Sequence, residues 1–474
     1  VSTLAELLTS YLDLARHLDP LRHPHDAPDE VHRRFGRFDV AWLRAQEVAL
    51  RSIANAVEDL EDVESLDDEV DRTMLIDTIR AETVRLASEV NSPTADPGLA
   101  LRHVMAALDA LLGEDFDASR EAALRERLRD LPDFLATQRT ESRPAPRFLV
   151  EGAQRAVTLL GERLDAASER LDEDTVVPCR VALASHQLWL EAPERISGVP
   201  GMGADEVAAR LRTLTAEPLG VQGVLRTLEL RRAGVVRSLE SAATDLAAGS
   251  WPRAVEQLRD EATLDPMERF EMWAEEWQRV GAALEGLDLP VSNAPPPPAP
   301  EIDDAWSLAA LALRGHAARM FDLARAASPR PVRRLLVAPG LVAGWSRTVA
   351  ALLREAEVLG TPERRLMSAH LAIQDAVAAE TDLLLQARRE LPEPLAERAA
   401  VLAGLQPDVA EELVVRVAET PLESLAAALA HDAWQAWYAE RGLAPADFLR
   451  EALQGGGLAV PLARWALAMA PEEQ

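Results

Sequence analysis

The segment Leu4-Ala5-Glu6-Leu7-Leu8-Thr9-Ser10-Tyr11-Leu12-Asp13-Leu14-Ala15-Arg16-His17-Leu18 carries Leu4, Leu7, Leu8, Tyr11, Leu12, Leu14, Ala15 and Leu18 largely at intervals of three and four. That spacing lines one face of an α-helix with apolar side chains. The same period returns from Val40 to Leu60, from Arg147 to Leu164 and from Val221 to Leu246. No alternating run of Val, Ile and Thr bounded by hairpin turns interrupts it, so the pattern predicts an all-α fold with little or no β structure.

Composition narrows the function classes. With 474 residues, 48% of them hydrophobic, the chain can bury a sizeable core. No apolar run approaches the roughly 20 residues that a membrane span needs. Val1-Ser2-Thr3-Leu4-Ala5-Glu6 shows no basic region followed by an apolar one, and on that basis the expectation is a cytoplasmic protein without a signal peptide. A formal charge of −29 argues against nucleic acid and anionic membrane surfaces as partners, since both bind through clustered cations. All 50 basic residues are Arg and none is Lys; GC-rich codon usage and selection against reactive amines would each leave that signature.

Several stretches invite a functional reading. His17, His23, His25 and His32 crowd around Leu21-Arg22-His23-Pro24-His25-Asp26-Ala27-Pro28, a loop by its Pro and Asp content, but their spacing fits no metal-site pattern. The acidic run from Glu58 to Asp71 reads as a helix junction, with Ser65 capping a helix that starts at Leu66. Gly198-Val199-Pro200-Gly201-Met202-Gly203 lacks the ending of a phosphate loop and leads into a helix from Gly203-Ala204-Asp205-Glu206. Leu188, Trp189 and Leu190 are expected in the core, as are Trp273 and Trp277, one turn apart. Cys179 is the only cysteine. It follows Pro178 at an expected helix start, where a thiolate is favoured, with His186 seven residues on; the commoner role of a lone Cys is that of a small buried apolar residue.

The clearest break is Asp288-Leu289-Pro290-Val291-Ser292-Asn293-Ala294-Pro295-Pro296-Pro297-Pro298-Ala299-Pro300, whose four consecutive prolines exclude helix and favour a semi-rigid spacer. It divides the chain into an N-terminal helical region (1–287), a Pro-rich linker (288–303) and a C-terminal helical region (304–474) within one integrated fold.

The C-terminal region carries a resemblance. Ala310-Leu311-Ala312-Leu313-Arg314-Gly315-His316, then Arg333-Arg334, then Ala343-Gly344-Trp345 resemble the metal-site region of the domain-of-unknown-function 885 family, bacterial zinc-peptidase-like proteins. Members carry H-E-x-x-P-G-H, Arg pairs and then E-G-W. In zinc hydrolases of this kind His and Glu side chains hold the metal, while the Glu beside the first His activates water. Laid on this chain, Gly315 and His316 match the end of the first motif, but the first His falls on Ala310, the general base on Leu311, the Pro on Arg314 and the second-motif Glu on Ala343. Downstream, Gln386 stands where the family tends to have a His, and Ala427 and Ala430 where it has Tyr and Gly. Glu411 to Pro421 and Gly455-Gly456-Gly457-Leu458-Ala459-Val460-Pro461-Leu462 follow the family's later motifs.

The resemblance implies a metallopeptidase-like helical body with a central cleft and no surviving catalytic or metal-binding set, hence no cofactor. Ala310, Leu311, Gly315, His316, Ala343, Gly344, Trp345, Gln386 and Ala427 would line the vestigial cleft. The function it implies is that of a non-catalytic pseudopeptidase, binding a peptide-like ligand or an active paralogue there. Two alternatives remain at this stage. One is a hydrolase using Cys179, His186, His316 or His431; the other is a structural helical subunit whose cleft has filled.

Overall fold

The computed structural model describes residues 3–18, 35, 40–60, 65–91, 96–112, 117–214, 220–246, 249–300, 302, 304–338, 340–354, 356 and 358–468. Among them the chain forms twenty α-helices and no β-strand, only isolated bridges such as Ala145 to Ile196 and Thr263 to Asp304. In chain order the helices are α1 (Leu4–Leu18), α2 (Val40–Glu58), α3 (Leu66–Asn91), α4 (Leu99–Leu112), α5 (Ala118–Glu141), α6 (Arg147–Ser168) and α7 (Glu173–Leu190). Next come α8 (Ala204–Leu214), α9 (Val221–Asp245), α10 (Trp251–Glu261), α11 (Pro266–Glu285), α12 (Ala305–Ala327), α13 (Pro331–Leu335) and α14 (Leu341–Leu352). The chain closes with α15 (Pro362–Arg388), α16 (Pro392–Ala403), α17 (Pro407–Glu419), α18 (Glu423–Arg441), α19 (Pro445–Leu453) and α20 (Val460–Ala468). None of the described helices is long and apolar enough to cross a membrane.

Helix starts follow local chemistry. The side chains of Asp117, Asp172, Asp265 and Asp304 accept backbone N–H groups of the first turns of α5, α7, α11 and α12, satisfying donors that a helix N-terminus leaves open. Asp265 and Glu268 complete a reciprocal capping box. Ser65 accepts the Asp68 N–H at 3.2 Å and so opens α3 at Leu66, as its sequence position implies.

Two compact units emerge, each discontinuous along the chain. The first comprises Val1–Asp62, Ile79–Arg210 and Leu385–Pro392; the second comprises Val63–Thr78, Leu211–Leu384 and Glu393–Gln474. The proline run lies inside the second unit, where Trp273 Nε1 donates to the Pro297 carbonyl at 2.8 Å and Arg319 donates to the carbonyls of Ala294 and Pro295 at 2.8 and 2.5 Å. The segment is therefore tied to α11 and α12 by its own carbonyls, which polyproline geometry leaves free of internal hydrogen bonds.

In the first unit α5, α6 and α7 pack together around Leu124, Leu128, Leu131, Leu160, Leu164 and Val176, all buried. Helix α7 begins at Glu173 under the Asp172 cap, so Pro178 and Cys179 stand within it instead of at its start. Its inward face carries Cys179, Leu183, His186 and Leu190, while Leu188 is 70% exposed on the opposite side and leaves the expected core. The Gly198–Gly203 stretch presses against the end of α15: Gly201 (φ +78°) leaves no room for a Cβ, which would lie 2.1 Å from the Leu385 carbonyl oxygen, and Gly203 N–H donates to the Gln386 carbonyl at 2.8 Å. Glycine serves close backbone approach there.

In the second unit α12, α14 and α18 form the packed centre, with α11 beside α12. Rings run through it from Phe321 to Trp345 (6.2 Å), Trp434 (5.0 Å), Trp437 (5.6 Å) and Phe448 (5.4 Å). The acidic start of α3 is also drawn in. Asp71, buried, bonds Arg330 Nε at 2.6 Å and Arg333 Nε at 2.7 Å, so this part of the junction is an ion-pair anchor and not a solvated face.

Candidate functional site

His316, at the end of the stretch that carries the resemblance, is engaged in packing. His316 Nε2 pairs with the Trp277 carbonyl at 2.9 Å, and its imidazole stacks on the Trp277 indole at 4.0 Å between centroids. The Arg319 guanidinium covers that indole at 4.6 Å. A Cβ on Gly315 would come within 2.5 Å of the Trp277 ring, and one on Gly281 within 3.2 Å of His316. Burial holds the His316 pKa below its ordinary value, against the pull of the Trp277 carbonyl.

The other motif positions divide. Ala310 and Ala427 are buried, Leu311 is half-buried and Ala343 is exposed. Gly344, Trp345 and Ala427 are brought together: a Cβ on Gly344 would lie 2.5 Å from Ala430 Cβ and 2.9 Å from the Ala427 carbonyl oxygen. Trp345, fully buried, donates Nε1–H to the Ala317 carbonyl at 2.9 Å, next to His316. Gln386 belongs to the first unit, where its backbone carbonyl receives Gly203. The positions His316, Trp345 and Ala427 are thus filled by side chains. Among the described residues no three His, Cys, Asp or Glu side chains gather to hold a metal ion. His23, His25 and His32 lie outside the described residues; His17 does not, and its Nδ1 meets the Asp13 carbonyl of its own helix.

Cys179 is buried, its thiol donating to the Leu128 carbonyl at 2.9 Å, and burial pushes its pKa up to about 11. A nucleophilic thiol needs the opposite shift. The cavity of about 390 Å³ over the start of α7 is lined by Arg125, Leu128, Arg129, Asp172, Asp174, Thr175 and Pro178, not by the sulfur. His186 is buried against Trp189, and burial together with Arg139 lowers its pKa to about 4.

His431 has different surroundings. The Thr348 hydroxyl donates to the Gly344 carbonyl at 2.8 Å and meets His431 Nδ1 at 2.8 Å. A helical Thr commonly gives its one proton to the carbonyl four residues back; with that assignment Thr348 accepts from Nδ1–H and the lone pair is on Nε2. Nε2 has no hydrogen-bond partner among the described residues and is not sealed from solvent. Around the ring stand Arg231 of α9, Arg314 of α12, Arg347 of α14 and Arg354 just beyond it; burial first, then these cations, hold the imidazole pKa well below its ordinary value.

Two carboxylates thread this cationic group. Asp375 of α15 pairs with Arg314 at 2.7 Å and Arg347 at 3.1 Å, and Asp432 of α18 accepts from Arg231 Nε at 2.9 Å. Arg347 is pushed below its ordinary pKa by burial, and Arg314 and Arg231 add to this against Asp375. Among the described residues the guanidiniums of Arg231, Arg314 and Arg347 pair with the carboxylates of Asp375 and Asp432, three cations to two anions, in a chain of net charge −29. Of the family-motif positions, only Arg314, in the place of the Pro, contributes to this group. The remaining members come from helices far apart in the chain, and no spacing signal announces them.

No protein-family model matches the chain, and no curated protein does. Solved structures share its fold, among them the following two. One, from Shewanella oneidensis and described as "a putative lipoprotein of unknown function", aligns with TM-score 0.69 and 12% identity over 99% of this chain and 100% of that one. The other, a "putative lipoprotein" from Colwellia psychrerythraea, aligns with TM-score 0.77 and 12% identity over 99% of each chain. These likenesses correct the expectation of a cytoplasmic protein, since both of these structures are described as putative lipoproteins.

Proposed function

We propose that this chain is a non-catalytic, metallopeptidase-like helical protein, a pseudopeptidase whose remaining capacity is to bind. The observation that carries the reading is the fate of His316. Its Nε2 is spent on the Trp277 carbonyl and its face on the indole, while the motif positions that would supply its co-ligands hold the methyl groups of Ala310 and Ala343. A catalytic zinc needs about three protein ligands and an open coordination position. Packing at His316, Trp345 and Ala427 also removes room for a ligand at that spot, so binding of a peptide-like ligand or partner falls to the polar group beside it, around His431. The description of both solved neighbours as lipoproteins supports a working place outside the cytoplasm.

The test is metal analysis and peptidase assay of the protein dialysed against zinc. The expected result is no stoichiometric zinc and no peptide cleavage. Tight one-to-one zinc, or zinc-dependent cleavage abolished by His316→Ala, would overturn the reading.

A further inference from the structure

We propose that the group around His431 is a binding site for an oxyanion that retains an O–H, the chemistry of inorganic phosphate and of phosphate monoesters in their singly ionised form. The proposal takes His431 as a binding group, as above, and does not depend on peptidase ancestry.

Three features argue for it. First, donors are left over. A guanidinium has five N–H groups. Arg314 spends one nitrogen on Asp375; Arg347 spends one on Asp375 and one on the Ser424 carbonyl; Arg231 spends two, on Asp432 and the Ala428 carbonyl. No nitrogen of these three arginines is sealed from solvent without a partner, so the unused donors face accessible space. Second, among the described residues these three guanidiniums outnumber the two carboxylates paired with them and are partly desolvated, the setting in which Arg forks hold oxyanions most strongly. The side chains of Arg231, Arg347 and Arg314 are only 11%, 17% and 20% exposed.

Third, the site contains an acceptor among its donors. His431, fixed by Thr348, points a neutral Nε2 lone pair into a cationic surrounding. A fully ionised anion such as sulfate or a carboxylate has no proton to give that nitrogen. Phosphate does: its oxygens accept from the arginines while its O–H donates to Nε2. A buried acceptor left without a donor costs enough to discriminate between the two.

The experiment is calorimetric titration of the folded protein at about pH 5.5, where phosphate monoesters keep one O–H, with inorganic phosphate, sulfate, acetate and glycerol phosphate. Phosphate is expected to bind and sulfate at least about tenfold more weakly. Glycerol phosphate binding as well as phosphate assigns the site to organic monoesters; failure of glycerol phosphate alone assigns it to free phosphate. Arg347→Gln should abolish binding. Asp375→Asn removes a competing negative charge and should tighten binding roughly tenfold, a gain that misfolding cannot produce. No phosphate binding at millimolar concentration, equal affinity for sulfate, or no tightening by Asp375→Asn overturns the proposal. Hydrolysis of the monoester would keep the anion site and overturn the non-catalytic reading instead.

Discussion

Asp382, wholly buried on α15, accepts the backbone N–H of Leu422 at 2.9 Å, and Leu422 is the left-handed residue (φ 68°) from which α18 begins. The same carboxylate accepts Leu425 N–H at 3.2 Å. A residue distant in sequence therefore caps the helix that carries Ala427 and His431, doing what a local N-cap does elsewhere.

Burial pushes the Asp382 pKa up to about 7, against the pull of the Leu422 and Leu425 N–H groups. A carboxyl raised on folding binds more protons in the native than in the unfolded state between its two pKa values. Its contribution is fully present below about pH 4 and is lost as pH rises through 7. The difference in melting temperature between the wild type and Asp382→Asn should thus shrink from pH 4.5 to 8. The difference matters because buried His186 and His370, both lowered to about 4, act oppositely and cost stability as pH falls from 6.5. A difference that does not change with pH would show the carboxyl ionised throughout.

Gly344 is the point at which α14 meets α18. Gly344→Ala would place a methyl 2.5 Å from Ala430 Cβ and 2.8 Å from the His431 nitrogen, both on a helix that cannot yield without moving Trp434. Overpacking of this kind costs about 1–3 kcal/mol. Chemical denaturation should show a lower midpoint with unchanged slope, and unchanged stability would mean the helices can part freely.

Arg127 of α5 is buried with one hydrogen bond, Nη1 to the Ala107 carbonyl, while Nε and Nη2 have no partner among the described residues; burial alone lowers its pKa to about 10. A buried charge without a carboxylate stabilises little. Arg127→Met keeps the length and removes the charge, and should leave the unfolding free energy unchanged or raise it by roughly 1 kcal/mol. A loss above about 3 kcal/mol would reveal a partner for this guanidinium.

Ala343→Glu places a carboxylate, at an exposed position, where the zinc-peptidase resemblance would have one. Because His316 is already engaged and Ala310 has no ligand atom, this variant should bind no zinc tightly by calorimetry or metal analysis. Stoichiometric zinc would mean enough ligands survive.

The helical class was legible because apolar spacing is a local signal, and the starts at Leu66 and Ala204 follow directly from Ser65 and Gly203. Leu188 was misjudged because three successive large residues cannot all face one side of a helix, and α7 turns Leu190 inward. The site was only half legible. Gly344, Trp345 and Ala427 do converge, but Arg231, Arg347, Asp375 and Asp432 meet His431 across four helices. Juxtapositions of such sequence separation leave no periodic trace, and in a chain whose 50 basic residues are all Arg, no single Arg stands out.

The row of rings from Phe321 to Phe448 has an optical consequence. Neighbouring indoles at 5.0 and 5.6 Å exchange excitation energy before they emit, so Trp345, Trp434 and Trp437 radiate as a coupled set. Because Trp345, Trp434 and Trp437 are buried, their emission should lie to the blue of an exposed indole's and move to the red when the second unit opens.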